Sequence, residues 1–524
     1  MLQSVHIFKG KEDFYMENKR GSWASNLGFL MAAVGSAVGL GNIWGFPYKM
    51  GKSGGFTFLI VYLLLAIFVG VIIMASELAL GRKTKSAPIA AYDKATKKFK
   101  FLGWFAVLSP FFIMTFYSVL GGYCIYYIAI NLIGLFGGMP DSSSFGAMIT
   151  SVPWSVIVLI AFMAICYIIV AGGVSGGIEK FNKVGMPALF IMLIIIIIKA
   201  WTLPNADVGL KFMFVPGYAV SAGFIEEAPS LITVLGTAGG QMFFSLSLAM
   251  GAMITYGSYL DEGENLVKNS GIIVVCDTLV AIMAGLAVIP AAVANGIAQG
   301  KALNEIKLGG PGLLFSTLQD VFHDMGAAGG VFGVIFYVLV LIAAISSAIS
   351  LMEVLTAHFC DKKIAEGKDP ERKKTTLFVA IAITALGAIV AADGLGENGI
   401  SPAALFGLKM NTWNDCWLDF MDCWSEGIMM PLGAMLMALM IAAEVKPKYI
   451  LDEVHKGHKK GFFDKFYTIC ICYIVPVAMC FVLAGQLIDF FGNPTACYIV
   501  AVGALIIFMW HALIPNNEIE KAKK

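Results

Sequence analysis

Asp277 lies inside Ile272-Ile-Val-Val-Cys-Asp-Thr-Leu-Val-Ala-Ile-Met283, an otherwise uncharged apolar run. An uncompensated carboxylate at mid-membrane costs about 3 kcal/mol or more, so an intramembrane Asp marks an ion or substrate path. A second unusual stretch is Ser36-Ala-Val-Gly-Leu-Gly-Asn-Ile-Trp-Gly-Phe-Pro-Tyr48, within an apolar segment that begins near Trp23. Its midpoint holds Gly39, Gly41 and Asn42, which are poor helix formers. Lipid offers no partner to an open N–H or C=O, so a helix broken at mid-depth persists only where it lines a polar cavity. Thr233-Val-Leu-Gly-Thr-Ala-Gly-Gly-Gln-Met-Phe-Phe-Ser-Leu-Ser-Leu-Ala-Met-Gly251 repeats the pattern, with Gly and Ser again near mid-depth. Small residues alone would also serve close helix packing. Two interrupted spans with polar side chains favour a transport site.

These elements need a membrane-embedded scaffold. The chain has 524 residues, 58% of them hydrophobic and 14% charged, with a mean hydropathy of +0.81; this is a polytopic membrane composition. A net charge of +1 gives no basis for nucleic-acid binding. Cys124, Cys166, Cys276, Cys470, Cys472 and Cys480 sit mostly in apolar segments and suggest buried small hydrophobes, not a disulfide framework or zinc site. The polar, mixed-charge first twenty residues do not read as a signal peptide. Twelve spans are expected, at 23–48, 55–80, 101–135, 153–171, 178–201, 231–259, 270–296, 328–360, 375–393, 416–443, 464–489 and 495–514. Lys and Arg crowd the loops around 82–100, 362–374 and 446–465, whereas 136–152 and 490–496 carry none. That bias predicts a multi-pass cell-membrane protein with both termini cytoplasmic.

The interrupted spans are the first and the sixth, so the expected fold is all-α, with two five-span repeats at 23–201 and 231–443. Five is odd, so the second repeat must be inverted. Two further spans at 464–514 and short tails at 1–22 and 515–524 complete the chain.

Several motifs then resemble the neurotransmitter:sodium symporter family, of the LeuT fold. Gly35-Ser-Ala-Val-Gly-Leu-Gly-Asn-Ile-Trp44 with Phe46-Pro47-Tyr48 is similar to the family's first span. Gly54-Gly55, Tyr62 and Glu77-Leu-Ala-Leu-Gly-Arg82 resemble its second, and Phe116-Tyr117-Ser-Val-Leu-Gly-Gly122 its third. Gln241-Met-Phe-Phe-Ser-Leu-Ser247 with Ile254-Thr-Tyr-Gly-Ser-Tyr259 resembles the sixth, and Ala343-Ala-Ile-Ser-Ser347 the eighth. The resemblance covers spans one to ten. It implies sodium-coupled uptake of a small amino acid by alternating access, with no enzymatic chemistry. His358 and His511 are isolated and form no metal or nucleophile motif.

The resemblance also implies sites for two sodium ions, which prefer oxygen ligands. One set would be Ala37, Asn42, Ser245 and Asp277 with the substrate carboxylate; the other Gly35, Val38, Ala343, Ser346 and Ser347. The substrate would be held by Ala37, Gly39, Leu40, Gly41, Tyr117 and Ser245, with a side-chain pocket of Ile113, Tyr117, Phe244, Ser247, Met250, Ser347 and Leu351. The half-helix starting near Leu40-Gly41 directs free N–H groups at a carboxylate. Gly39 stands where monoamine carriers have Asp, which favours an amino acid. The pocket holds no Asp, Glu, Lys or Arg, so a neutral hydrophobic or aromatic amino acid is expected. Tyr62, Gln241 and Ser245 match the family's chloride surroundings, but Asp277 supplies fixed negative charge and Ala281 no hydroxyl, so chloride independence is expected.

By the same resemblance, Arg20, Trp23, Tyr259 and Asp361 form an inner gate, with Tyr259 bracing an Arg20–Asp361 pair. Gly177 and Pro187 would let the inner half of span five unwind. Tyr117, Phe244 and Asp422 would form the outer gate. Here the chain departs from the pattern: Gly45 replaces the usual Arg partner of Asp422, and Lys49, one turn further out, is expected to substitute in part. The missing Arg leaves a second reading, a transport-deficient amino-acid sensor of the same fold.

Overall fold

A computed structural model describes residues 21–306, 308, 310–410 and 415–513. Among these, secondary structure is entirely helical. Ten helices are long and apolar enough to span a bilayer: Phe56–Thr84, Leu102–Gly137, Val152–Ala171, Val174–Trp201, Leu266–Ala298, Ala328–Ala365, Arg372–Asp393, Trp417–Val445, Phe462–Phe491 and Pro494–Leu513. Asn26–Ala37 and Gly41–Lys52 form a further span bent by 45°. Leu231–Ser245 and Ala252–Gly257 occupy the expected sixth. Most ends fall within a few residues of the sequence expectation, because the hydropathy edges coincide with caps and glycines.

Span one starts at an N-cap, Ser25, whose hydroxyl accepts the Gly28 N–H at 3.0 Å. Its first half stops at Val38, where ψ turns to 100°. The Glu179 carboxylate of span five accepts the Ala24 N–H at 2.8 Å and so holds this end in place. A Cβ at Gly28 would fall 1.9 Å from that carboxylate, which explains the glycine.

Span six breaks differently. Ser247, Ala249 and Gly251 have φ of 53°, 58° and 74°. Two of these are not glycine, and a left-handed L-residue costs about 1–2 kcal/mol. Neighbouring spans offset that cost: Glu77 accepts the Ala249 N–H at 2.7 Å, and the Ser247 hydroxyl donates to the Ser36 carbonyl at 2.7 Å.

Span five is wound throughout. Val174–Glu179 is a π-turn and Pro187 lies within the continuous helix Lys180–Trp201. A Cβ at Gly177 would lie 1.8 Å from the Ile169 carbonyl oxygen. In this conformation Gly177 therefore serves close approach to span four, and the expected unwinding is not present.

The basic loops gather at one end of the bundle. Arg82 is fully buried there, donating to Glu453 at 2.7 Å and to the Glu264 carbonyl at 2.6 Å. Lys456 bridges Glu262 at 2.6 Å and Glu453 at 3.1 Å.

Candidate functional site

The two helix breaks face each other around a small cavity. Ser36, Ala37, Gly39 and Gly41 line it from span one; Phe244, Ser247 and Met250 from span six. Ile113 and Tyr117 of span three and Ser347 and Leu351 of span eight close it. All seven side-chain pocket residues expected from the sequence are brought together. Leu40 and Ser245 stand just behind the wall. The Leu40 N–H donates to the Tyr117 hydroxyl at 2.9 Å, while the Ser245 side chain turns to Asp277. Ser36 was not expected at the site, yet its carbonyl accepts both the Ser247 and Ser347 hydroxyls, at 2.7 and 3.0 Å.

Asp277 is completely buried beside this cavity. One carboxylate oxygen accepts Asn42 Nδ2 at 2.7 Å, the other the Tyr62 hydroxyl at 3.2 Å, and Ser245 Oγ lies 2.9 Å away. Asn42 Oδ1 in turn accepts the Gly39 N–H at 2.9 Å. All these partners are neutral, so they stabilise the carboxylate but leave its charge uncompensated.

A second group of oxygens lies between spans one and eight. Ser346 Oγ is 3.2 Å from the Val38 carbonyl and 2.9 Å from that of Ala343. Ser347 Oγ is 3.4 Å from the Gly35 carbonyl. Each donor atom is oxygen, as a hard cation requires.

At the basic end, Trp23 Nε1 donates to the Tyr256 carbonyl at 3.1 Å, and the indole packs edge-on against Phe29, Tyr256 and Tyr259. Arg20 lies outside the described residues. The Asp361 carboxylate accepts the Ala87 N–H at 2.7 Å. The Tyr259 hydroxyl donates to Glu353 at 2.8 Å. Glu353 also receives a two-pronged bond from Arg372, at 2.5 and 3.1 Å, and Arg372 donates to the Val170 carbonyl. This Tyr259–Glu353–Arg372 lock joins spans four, six, eight and nine and was not anticipated. Its signal was available: Glu353 is a carboxylate in an apolar run, as Asp277 is.

At the opposite end Tyr117 and Phe244 approach to 6.4 Å between ring centroids. Lys49 pairs with Glu426, not with the expected Asp422. Glu426 lies one turn from Asp422 along span ten, so the two carboxylates share a helix face and Lys49 meets the second of them.

The sequence pattern of the sodium:neurotransmitter symporter family matches residues 20–135 and 144–514. The chain belongs to this family. The sodium-dependent transporter YhdH of Bacillus subtilis is 34% identical over 472 residues, covering 88% of this chain and 97% of the relative. MJ1319 of Methanocaldococcus jannaschii, also a sodium-dependent transporter, is 31% identical, covering 94% and 96%. The crystal structure of MhsT in complex with L-phenylalanine superposes with a TM-score of 0.77 at 34% identity, covering 89% of this chain and 100% of that one. The protein is therefore a multi-pass, sodium-dependent transporter of the LeuT fold, not an enzyme.

Proposed function

We propose that the protein takes up a neutral, hydrophobic or aromatic amino acid with two sodium ions, without chloride, and that its basic end faces the cytoplasm. The observation that carries this reading is the composition of the pocket wall. Its lining combines the span-one break at Gly39 and Gly41 and the Tyr117 hydroxyl with the apolar side chains of Ile113, Phe244, Met250 and Leu351, and carries no charged side chain. A zwitterion suits the polar groups and an apolar side chain the rest. The L-phenylalanine bound by MhsT supports the same class.

Asp277, Asn42, Ser245 and the Ala37 carbonyl bind the first sodium together with the substrate carboxylate. Gly35, Val38, Ala343, Ser346 and Ser347 bind the second. Because the first ion touches the substrate, each raises the affinity for the other by the same factor. Phe244 and Tyr117 close the cavity on one side. Trp23, Tyr259 and Asp361, with Arg20, close it on the other. Release to the cytoplasm requires the inner half of span one to leave span five, with Gly177 and Pro187 as the points where span five yields.

The test is competition against labelled phenylalanine bound to purified protein in sodium. Leu, Met, Phe and Trp should displace the label, and Asp and Lys should not. Displacement by Asp or Lys as effective as by Leu would contradict the pocket assignment.

A further inference from the structure

Span eleven begins within Lys459-Lys-Gly-Phe-Phe-Asp-Lys465. The helix Phe462–Phe491 has 30 residues, about 45 Å at 1.5 Å per residue. The hydrocarbon core is only about 30 Å thick, so the first turns of this helix stand in the headgroup layer.

One face of these turns is apolar and open. Phe462, Phe466, Ile469 and Tyr473 recur at the spacing of a single helix face. Phe462 is 84% exposed, Ile469 54% and Tyr473 70%. Phe466 stacks on Phe462 at 6.0 Å and meets Phe68 of span two at 5.9 Å, so the stripe continues onto a neighbouring span. Within a bilayer such a stripe faces acyl chains.

Three lysines stand at the head of the stripe. Lys459, Lys460 and Lys465 are all exposed, and Lys465 is one turn from Phe462 on the same side of the helix. Asp464, the one acid in the segment, is turned to His455 at 3.1 Å. Among the described residues none of the three lysines has a carboxylate partner. Nearby Lys456, by contrast, is held by Glu262 and Glu453. Charge bias between loops does not require lysines to flank an exposed ring at the head of a lipid-facing stripe. Recognition of an anionic headgroup does.

We propose that this surface binds one anionic phospholipid, with Lys459, Lys460 and Lys465 around its phosphate and the Phe462–Phe466 stripe against its acyl chains. A free anion lacks the chains that the stripe would cover. The assignment depends neither on the amino acid carried nor on which way the protein faces.

Thermal unfolding of the purified full-length protein in a neutral detergent tests it without transport. Dihexanoylphosphatidylglycerol should raise Tm saturably above an equal concentration of dihexanoylphosphatidylcholine, as a ligand of the folded state must. Each lysine beside an anionic headgroup contributes about fivefold in affinity. The concentration at half-maximal rise should therefore increase about fivefold in Lys465→Gln and roughly 100-fold in Lys459→Gln/Lys460→Gln/Lys465→Gln. If the triple variant does not fold, the single one decides. Lys100→Gln/Lys373→Gln/Lys374→Gln, which removes the same charge from exposed lysines elsewhere, should leave that concentration unchanged. Glycerol phosphate, a headgroup without chains, should not raise Tm. Equal effects of the two lipids on the wild type overturn the proposal. So do an unchanged midpoint in Lys465→Gln, an equal loss in the control variant, or a rise with glycerol phosphate as large as with the lipid.

Discussion

Replacing Asp277 by Asn should weaken sodium-dependent substrate binding roughly 10- to 100-fold and make the residual activity depend on chloride. The carboxylate is fully buried, and its partners Asn42, Ser245 and Tyr62 are all neutral. It is the only fixed charge in that hydrogen-bonded cluster. A hydrogen bond to a charged group is worth about 1.5–3 kcal/mol, and each 1.4 kcal/mol is tenfold in affinity. Asn keeps the size but removes the charge, and one orientation of its amide would set an NH₂ against Asn42 Nδ2. The cation would then need another anion, and Tyr62, Gln241 and Ser245 already provide donors near such a place. The measurement is sodium titration of labelled amino-acid binding in chloride and in gluconate. Wild type should respond equally in both salts, and Asp277→Asn should bind better in chloride. An unchanged sodium midpoint in the variant would remove Asp277 from the sodium site.

Gly39→Ala should reduce substrate affinity by up to roughly 100-fold while leaving the protein folded. A Cβ there would sit 2.2 Å from Ser347 Oγ and 2.6 Å from the Tyr117 hydroxyl. Neither neighbour is free to move far: Ser347 donates to the Ser36 carbonyl, and Tyr117 accepts the Leu40 N–H. The Gly39 N–H is itself held by Asn42. Overpacking of this kind costs about 1–3 kcal/mol, and here it falls on the polar groups assigned to the carboxylate. Gly41→Ala is the comparison. Its Cβ meets Phe244 Cδ1 at 2.7 Å, a ring that can rotate, so its effect should be smaller. Size-exclusion profiles and Tm separate folding from affinity. Equal losses in the two variants would contradict the placement of the substrate at Gly39.

Particular residues show why some of this was legible in the sequence. Asp277, Asn42 and the glycines of span one stand out because the membrane makes polar atoms expensive, so each needs a reason. The pocket residues Ile113, Phe244 and Leu351 are individually ordinary and were reached through the family's motifs. The break in span six was visible through Gly and Ser, but not that Ser247 and Ala249 would adopt left-handed backbone, because the Glu77 and Ser36 contacts that stabilise it come from other spans.

Pairings between spans were the least legible. Lys49 was expected near Asp422 and meets Glu426, and nothing local to either sequence says which of two carboxylates four residues apart a lysine on another span will reach. Glu353 and Arg372 lie on consecutive spans, and nothing local to either predicts the Tyr259 hydroxyl as a third member. Span five differs from its expectation. The resemblance expects its inner half to unwind between Gly177 and Pro187, and here both residues lie in wound helix.

The central claim is that a sodium gradient drives an apolar amino acid through this cavity. The direct measurement is uptake of labelled phenylalanine or leucine into proteoliposomes with and without an inward sodium gradient. The account predicts accumulation above the external concentration only with the gradient, and its collapse when sodium is equalised. Saturable, sodium-dependent binding without accumulation would contradict it and identify the protein as a sensor built on a transporter fold.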